Sequence, residues 1–152
     1  MSQKAFTLIE IVISIAIISI LLGISMTVFR ALTDDQTIDR DVENVVSYIL
    51  RARNQTITGE NNANYGVYFA SSSITLFQGK EIGESSPSDL TFDLNNRTFL
   101  SSINLTDGLT LIYFNKGSGS PSATGTIEYQ LIGHEDQKKL IKVYASGLVE
   151  VQ

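Results

Sequence analysis

The sequence predicts an α+β chain: one long N-terminal helix, transmembrane in its first half and amphipathic in its second, packed on an antiparallel β-sheet head. Three observations predict it. The run from Phe6 to Phe29 carries a single charge, Glu10. The stretch after it repeats apolar residues at helical spacing, with no Pro or Gly from Ser25 to Thr58. Beyond Gly59 the period drops to two, and Gly, Ser, Asn and Pro punctuate short runs of β-branched and aromatic residues.

The first element follows from length. A helix needs about 20 apolar residues to cross a hydrocarbon core of about 30 Å, and Phe6–Phe29 is long enough. Its Ile-rich composition would suggest strand in a short window, but a run of this length is helical. A carboxylate inside such a segment costs on the order of a few kcal/mol, so Glu10 requires a partner. No basic side chain stands within the run. The nearest positive groups are Lys4 and the amine that a cut just before Phe6 would create. Ala16, Ser19, Gly23 and Thr27 recur at intervals of three and four, which puts them on one face narrow enough for another helix to approach. Gly23 is the expected place for local unwinding.

Past Phe29 the apolar residues keep to one side. Ile38, Val42, Val45, Val46, Ile49, Leu50 and Ile57 form the stripe, and Asp34, Asp35, Asp39, Arg40, Asp41, Glu43, Arg51 and Arg53 fall mostly on other faces. This predicts one helix from about Thr7 to about Ile57, roughly 75 Å at 1.5 Å per residue. The run Gly59-Glu60-Asn61-Asn62 ends it.

The head reads as strands at Tyr65 to Phe69, Ser73 to Gln78, Thr98 to Leu105, Leu109 to Asn115, Thr126 to Leu131, Leu140 to Ala145 and Leu148 to Val151, with a short one at Thr91 to Leu94. Ile127, Tyr129 and Leu131 alternate with Glu128 and Gln130, and Ile141 and Val143 flank Lys142, so the sheet has one covered side. The cover is the apolar stripe of the long helix, which has nothing else in the sequence to bury it. Ser146-Gly147 is expected to join the last two strands, and Gly133-His134-Glu135-Asp136 to form the turn before them. Gly79 to Ser88 and Lys116 to Gly125 read as surface loops.

Composition narrows the chemistry. With 11 Lys and Arg against 16 Asp and Glu, the 152-residue chain has a net charge of −5, which disfavours nucleic acid as a partner. The absence of cysteine excludes disulfides, iron–sulfur clusters and thiolate zinc sites. A lone His134 does not make a metal site, and Glu81, Glu84, Asp89 and Asp93 are too irregularly spaced to define a calcium loop. No nucleophile elbow and no phosphate-binding Gly-rich loop is present, so neither catalysis nor a cofactor is expected. Arg51 and Arg53 read as helix-surface charges rather than as DNA contacts.

Lys4-Ala5-Phe6-Thr7-Leu8-Ile9-Glu10, followed by an unbroken apolar helix, resembles the processing site of type IV prepilins and pseudopilins. The match joins a five-residue basic leader, a small residue before the cut, an aromatic residue after it, and a glutamate at the fifth position of the product. Ala5 departs from the family's usual Gly, which implies slower cutting. The resemblance implies cleavage between Ala5 and Phe6 by a prepilin peptidase, methylation of the new Phe6 amine, and neutralisation of a neighbouring subunit's amine by Glu10 during assembly. An intersubunit pair of that kind both relieves the cost of the buried acid and fixes axial register.

In the head, Arg51-Ala52-Arg53-Asn54-Gln55-Thr56, Tyr65-Gly66-Val67, Ile112-Tyr113-Phe114-Asn115-Lys116-Gly117 and Lys142-Val143-Tyr144-Ala145-Ser146-Gly147-Leu148-Val149 resemble the H-type minor pseudopilins of type II secretion and related minor pilins. The resemblance implies a pilin-like fold and three regions: a leader at 1–5, a transmembrane or filament-core helix at 6–29, and a head at 30–152 made of helix 30–58 and sheet 63–152. It implies as partners other pilin or pseudopilin subunits, the peptidase and methyltransferase, an inner-membrane assembly platform and membrane lipid. The expected place is the cytoplasmic membrane with the head outside the cytoplasm. Rival readings are a major shaft pilin, or a membrane-anchored binding module for which the helix is only an anchor.

Overall fold

The computed structural model describes residues 7–83 and 89–152, and for 25–35 and Glu135 the backbone alone. It divides into two units, the first ending at Asp35 and the second spanning Gln36–Gln152.

One helix, α1, runs over Leu8–Thr58 and contributes to both. It is continuous through Gly23, contrary to the expected unwinding: the backbone bonds of a helix tolerate an isolated glycine, and nothing stands within 4 Å of the place its Cβ would take. Gly59 stops it by turning left-handed, at a φ of 73° that a side chain disfavours. A single 3₁₀ turn, Glu60–Asn62, follows.

Among the described residues of the second unit eight strands follow: β1 (Tyr65–Phe69), β2 (Ser73–Gln78), β3 (Leu90–Asp93), β4 (Thr98–Leu105), β5 (Leu111–Tyr113), β6 (Gly125–Leu131), β7 (His134–Val143) and β8 (Val149–Val151). They form two four-stranded antiparallel sheets, ordered β3-β2-β1-β5 and β4-β6-β7-β8. The head is therefore α+β as the sequence predicts, with its strands shared between two sheets.

The buried stripe of α1 within this unit is Ile38, Val42, Val45, Ile49 and Ala52. It shares one apolar cluster with Tyr65, Val67 and Phe69 of β1, Ile74 and Leu76 of β2, Ile112 of β5, Ile127 and Tyr129 of β6, and Ile141 and Val143 of β7. Burying a Val, Leu or Ile side chain contributes about 1.5–3 kcal/mol, so this cluster holds helix and sheets together. At the helix end the Thr56 hydroxyl donates to the Ala52 carbonyl (2.9 Å) and accepts the Tyr65 N–H (2.9 Å), which joins α1 to β1.

Three details of the predicted stripe are corrected. Leu50 and Ile57 are exposed. Asp41, assigned to the polar side, is buried: it lies one residue before Val42, on the edge of the stripe, where the turn before β4 supplies donors. Its Oδ2 accepts the Asn95 N–H (3.0 Å) and the hydroxyl of buried Thr98.

The strand boundaries are also refined. The connection between β6 and β7 is Ile132-Gly133, so His134 opens β7 instead of sitting in a turn. Leu131 pairs with His134 while Gln130 pairs with Lys138, which leaves Glu135, Asp136 and Gln137 as an irregularity in the ladder. Between β7 and β8, Tyr144 and Leu148 still bond (2.9 Å), so the loop is Ala145-Ser146-Gly147, closed by the Gly147 N–H on the Tyr144 carbonyl (2.8 Å). Three residues ending in a left-handed Gly, here at φ 78°, match the right-handed twist of the flanking strands.

Candidate functional site: the amino-terminal end of the helix

Thr7 precedes the first helical residue, Leu8, and is the N-cap. Its N–H and its hydroxyl both donate to Glu10 Oε2, at 2.9 and 2.8 Å, and its hydroxyl oxygen accepts the Glu10 N–H at 3.4 Å. This is a capping box, in which Thr and Glu three residues apart satisfy the orphan groups of a helix start reciprocally. Sequence reasoning looked for a cation near Glu10 and missed these neutral donors. The signal was present as Thr-x-x-Glu directly before an apolar run.

Both Thr7 donors converge on one oxygen. Among the described residues Glu10 Oε1 has no hydrogen-bond partner. Downstream, Ser14 donates its hydroxyl to the Glu10 carbonyl (2.7 Å) and Ser19 to the Ile15 carbonyl (2.8 Å). Their polar groups are thus satisfied within the helix, as an apolar environment requires.

Ala16, Ser19 and Gly23 are exposed in the isolated chain, as are the large apolar side chains from Leu8 to Ile24. Ala5, Phe6 and the Thr27 side chain lie outside the described residues. Among the described residues no helix is long and apolar enough to cross a membrane. The run Phe6–Phe29 extends beyond the described side chains at both ends.

The head offers less. Arg53 donates from Nε to the Gly119 carbonyl (3.1 Å) and from Nη2 to the Ser146 carbonyl (3.4 Å), pinning two loops to α1. Arg51 is exposed. Asp89 accepts the Gln78 N–H (3.2 Å); Glu84 lies outside the described residues, and among those described no group of three or more His, Asp or Glu is placed to hold a metal. Glu128 is held below the usual carboxylate range by the Ser101 hydroxyl and by Lys138. Tyr144 is raised by donating to Glu150 (2.6 Å). Tyr129 is raised further, by burial and then by the Asp41 charge, and among the described residues its buried hydroxyl has no hydrogen-bond partner.

Residues 1–26 match the family profile described as the prokaryotic N-terminal methylation motif. No curated protein matches the sequence. Among solved structures, the chain is similar to the minor pseudopilin EpsH from the type 2 secretion system of Vibrio cholerae, at 13% identity over 76% of this chain and 96% of that one, with a TM-score of 0.56. It is also similar to the type IV minor pilin FimU of Pseudomonas aeruginosa strain PAO1, at 10% identity over 75% of this chain and 91% of that one, with a TM-score of 0.55. At such identities the likeness is one of fold.

Proposed function

We propose that this chain, a prepilin-type amino terminus joined to a pilin-like α+β fold, is a structural subunit of a pilus-type filament. It acts as a minor pilin or pseudopilin of a type IV pilus or a type II secretion pseudopilus. The observation that carries the reading is the methylation motif over residues 1–26 on a chain whose fold is that of two minor subunits.

In this proposal the precursor enters the cytoplasmic membrane as a single pass through 6–29, with the head, 30–152, outside the cytoplasm. A prepilin peptidase hydrolyses the Ala5–Phe6 bond and the new Phe6 amine is methylated. Glu10 then takes the charged amine of a neighbouring subunit on its open oxygen, while the Thr7 donors hold the other. The face of Ala16, Ser19, Gly23 and Thr27 packs against a sister helix, and an inner-membrane platform drives assembly. The protein works by association, without catalysis.

The test weighs the mature protein taken from its native membrane or filament. The expected mass lacks residues 1–5 and carries one methyl group, and Ala5→Glu leaves the precursor uncut. A native product that retains its first five residues, with no association between subunits, refutes the proposal.

A further inference from the structure

β8 ends its sheet, and the ladder beside it decides which of its backbone groups are open. Leu140 and Gln152 exchange N–H-to-carbonyl bonds in both directions (3.0 and 2.8 Å), and the Tyr144 N–H donates to the Leu148 carbonyl (2.9 Å). Bonded and non-bonded pairs alternate along an antiparallel ladder, so Lys142 and Glu150 form the bonded pair between these two. Val149 and Val151 therefore turn their N–H and carbonyl groups away from β7, toward an edge that no described strand occupies. Their side chains turn inward, because they stand opposite buried Val143 and Ile141. Val149 packs partly against the core and Val151 is exposed.

The flank of α1 runs alongside. Asp39 meets Lys139 of β7 (3.1 Å), and Arg53 reaches the Ser146 carbonyl just beyond that strand (3.4 Å). The two stretches between these contacts match in length, about 21–23 Å of helix and of strand. Leu50 lies on this flank, three residues before Arg53, and is exposed like Val151. The outer side of the edge carries a charge: the Tyr144 hydroxyl donates to Glu150 (2.6 Å), while the Lys142 ammonium lies over the Tyr144 ring, 4.9 Å from its centroid.

We propose that the open edge of β8 takes one extended segment of another protein as an added antiparallel strand, with apolar residues opposite Val149 and Val151 and a Lys or Arg opposite Glu150. Bonding through both valines puts the residue opposite Glu150 in a non-bonded pair, where cross-strand side chains come closest. A second copy of this chain does not fit. Two β8 strands paired through their valines place Glu150 against Glu150, and like charges there repel, as does a net charge of −5 on each chain. A basic segment turns that repulsion into attraction, and its inward residues extend the apolar cover toward Leu50. The inference uses groups of the head alone and does not rest on the filament reading.

The probe is the peptide Ser-Thr-Val-Lys-Val-Thr-Ser, titrated into the isotope-labelled full-length chain in lipid nanodiscs and followed by NMR. The Val149 and Val151 amide signals are expected to shift and to exchange more slowly with solvent. Glu in place of the peptide's Lys weakens binding about fivefold, and Glu150→Lys in the protein reverses that preference. Methylating the amide nitrogens of the two peptide valines, which point at β8, abolishes binding; methylating that of the Lys, which points away, leaves it within about twofold. Leu50→Ser weakens binding about threefold. The peptide variants leave the protein's own fold untouched. Absence of any shift at Val149 and Val151 overturns the inference, as do equal affinities for the Lys and Glu peptides or binding that survives methylation of the valines. Protection of the same amides that grows with protein concentration alone also overturns it, since a second copy is then the occupant.

Discussion

The two stretches of α1 carry the same kind of side chain in opposite circumstances. Between Leu8 and Ile24 the large apolar residues are open, with Leu8 80%, Ile13 51% and Leu22 63% exposed, and among the described residues the one charged group has partners on one oxygen. From Ile38 to Ala52 the stripe is closed, with Val45 and Ile49 at 0%. The second stretch finds its complement in its own chain. The first leaves its apolar area open, with about 25 cal/mol per Å² to be gained wherever that area is covered. Variants in the first stretch should therefore act on association and leave the head's stability alone, and variants in the second should do the reverse.

The largest effect is expected at Glu10. On the proposed reading Glu10 is the partner of a neighbouring subunit's amine, so Glu10→Ala should lower incorporation into filaments at least about a hundredfold while the chain still inserts and is cut. Sheared filaments in which that variant matches the wild type would turn the first stretch into a plain anchor.

Next is the closed stripe. Ile49→Ala should cost the head about 2–5 kcal/mol through lost burial and a residual cavity, seen as a lower Tm of the full-length chain in detergent. Ile13→Ala, with the same chemistry in the open stretch, should leave the head's Tm unchanged. Equal losses in both would mean that the two units do not melt separately.

Asp41→Ala is expected to cost about 1–3 kcal/mol, because the Asn95 N–H loses its acceptor and the buried Thr98 hydroxyl is left with the Asn95 carbonyl at 3.2 Å. Chemical denaturation of the variant beside Asp39→Ala checks it. Asp39 sits two residues away on the exposed side, paired to Lys139 at 3.1 Å, and its loss should shift stability by less than about 1 kcal/mol.

Asp41 also marks the limit of what the sequence makes legible. β1, β2 and β4 were readable to the residue and the long helix to within one residue at each end, because a change of period and a glycine are local signals. A charged residue beside an apolar stripe carries no such signal, since its burial depends on a turn at Asn95–Thr98 that is distant in sequence. The division into two sheets was hidden for the same reason. Period two says that a strand has a covered face but not which strand lies beside it, and β5 pairs with β1 across more than forty residues while β4 pairs with β6. At the candidate site the residues were legible and the geometry was not. Glu10 was found by its charge, and its actual donors were overlooked because Thr7 is neutral.

The smallest predicted effect has the opposite sign. Among the described residues the buried Tyr129 hydroxyl has no partner, and it is close enough to Asp41 for that charge to raise it. Leaving such a group dry costs about 1–3 kcal/mol, so Tyr129→Phe, which keeps the ring in the cluster, should stabilise the head by about 1 kcal/mol. The pH dependence follows from the direction of the shift. A phenol raised in the folded state keeps its proton there while the unfolded chain releases one above about pH 10, so the unfolded state binds fewer protons and stability falls as pH rises through that range. Below the unfolded value the contribution is fully present. Tyr129→Phe removes this share of the alkaline loss, so the drop in Tm from neutral to strongly alkaline pH should be smaller than in the wild type. A variant that melts lower at neutral pH would mean that the hydroxyl has a partner in solution, and the closed unit would then be better satisfied than its buried oxygen implies.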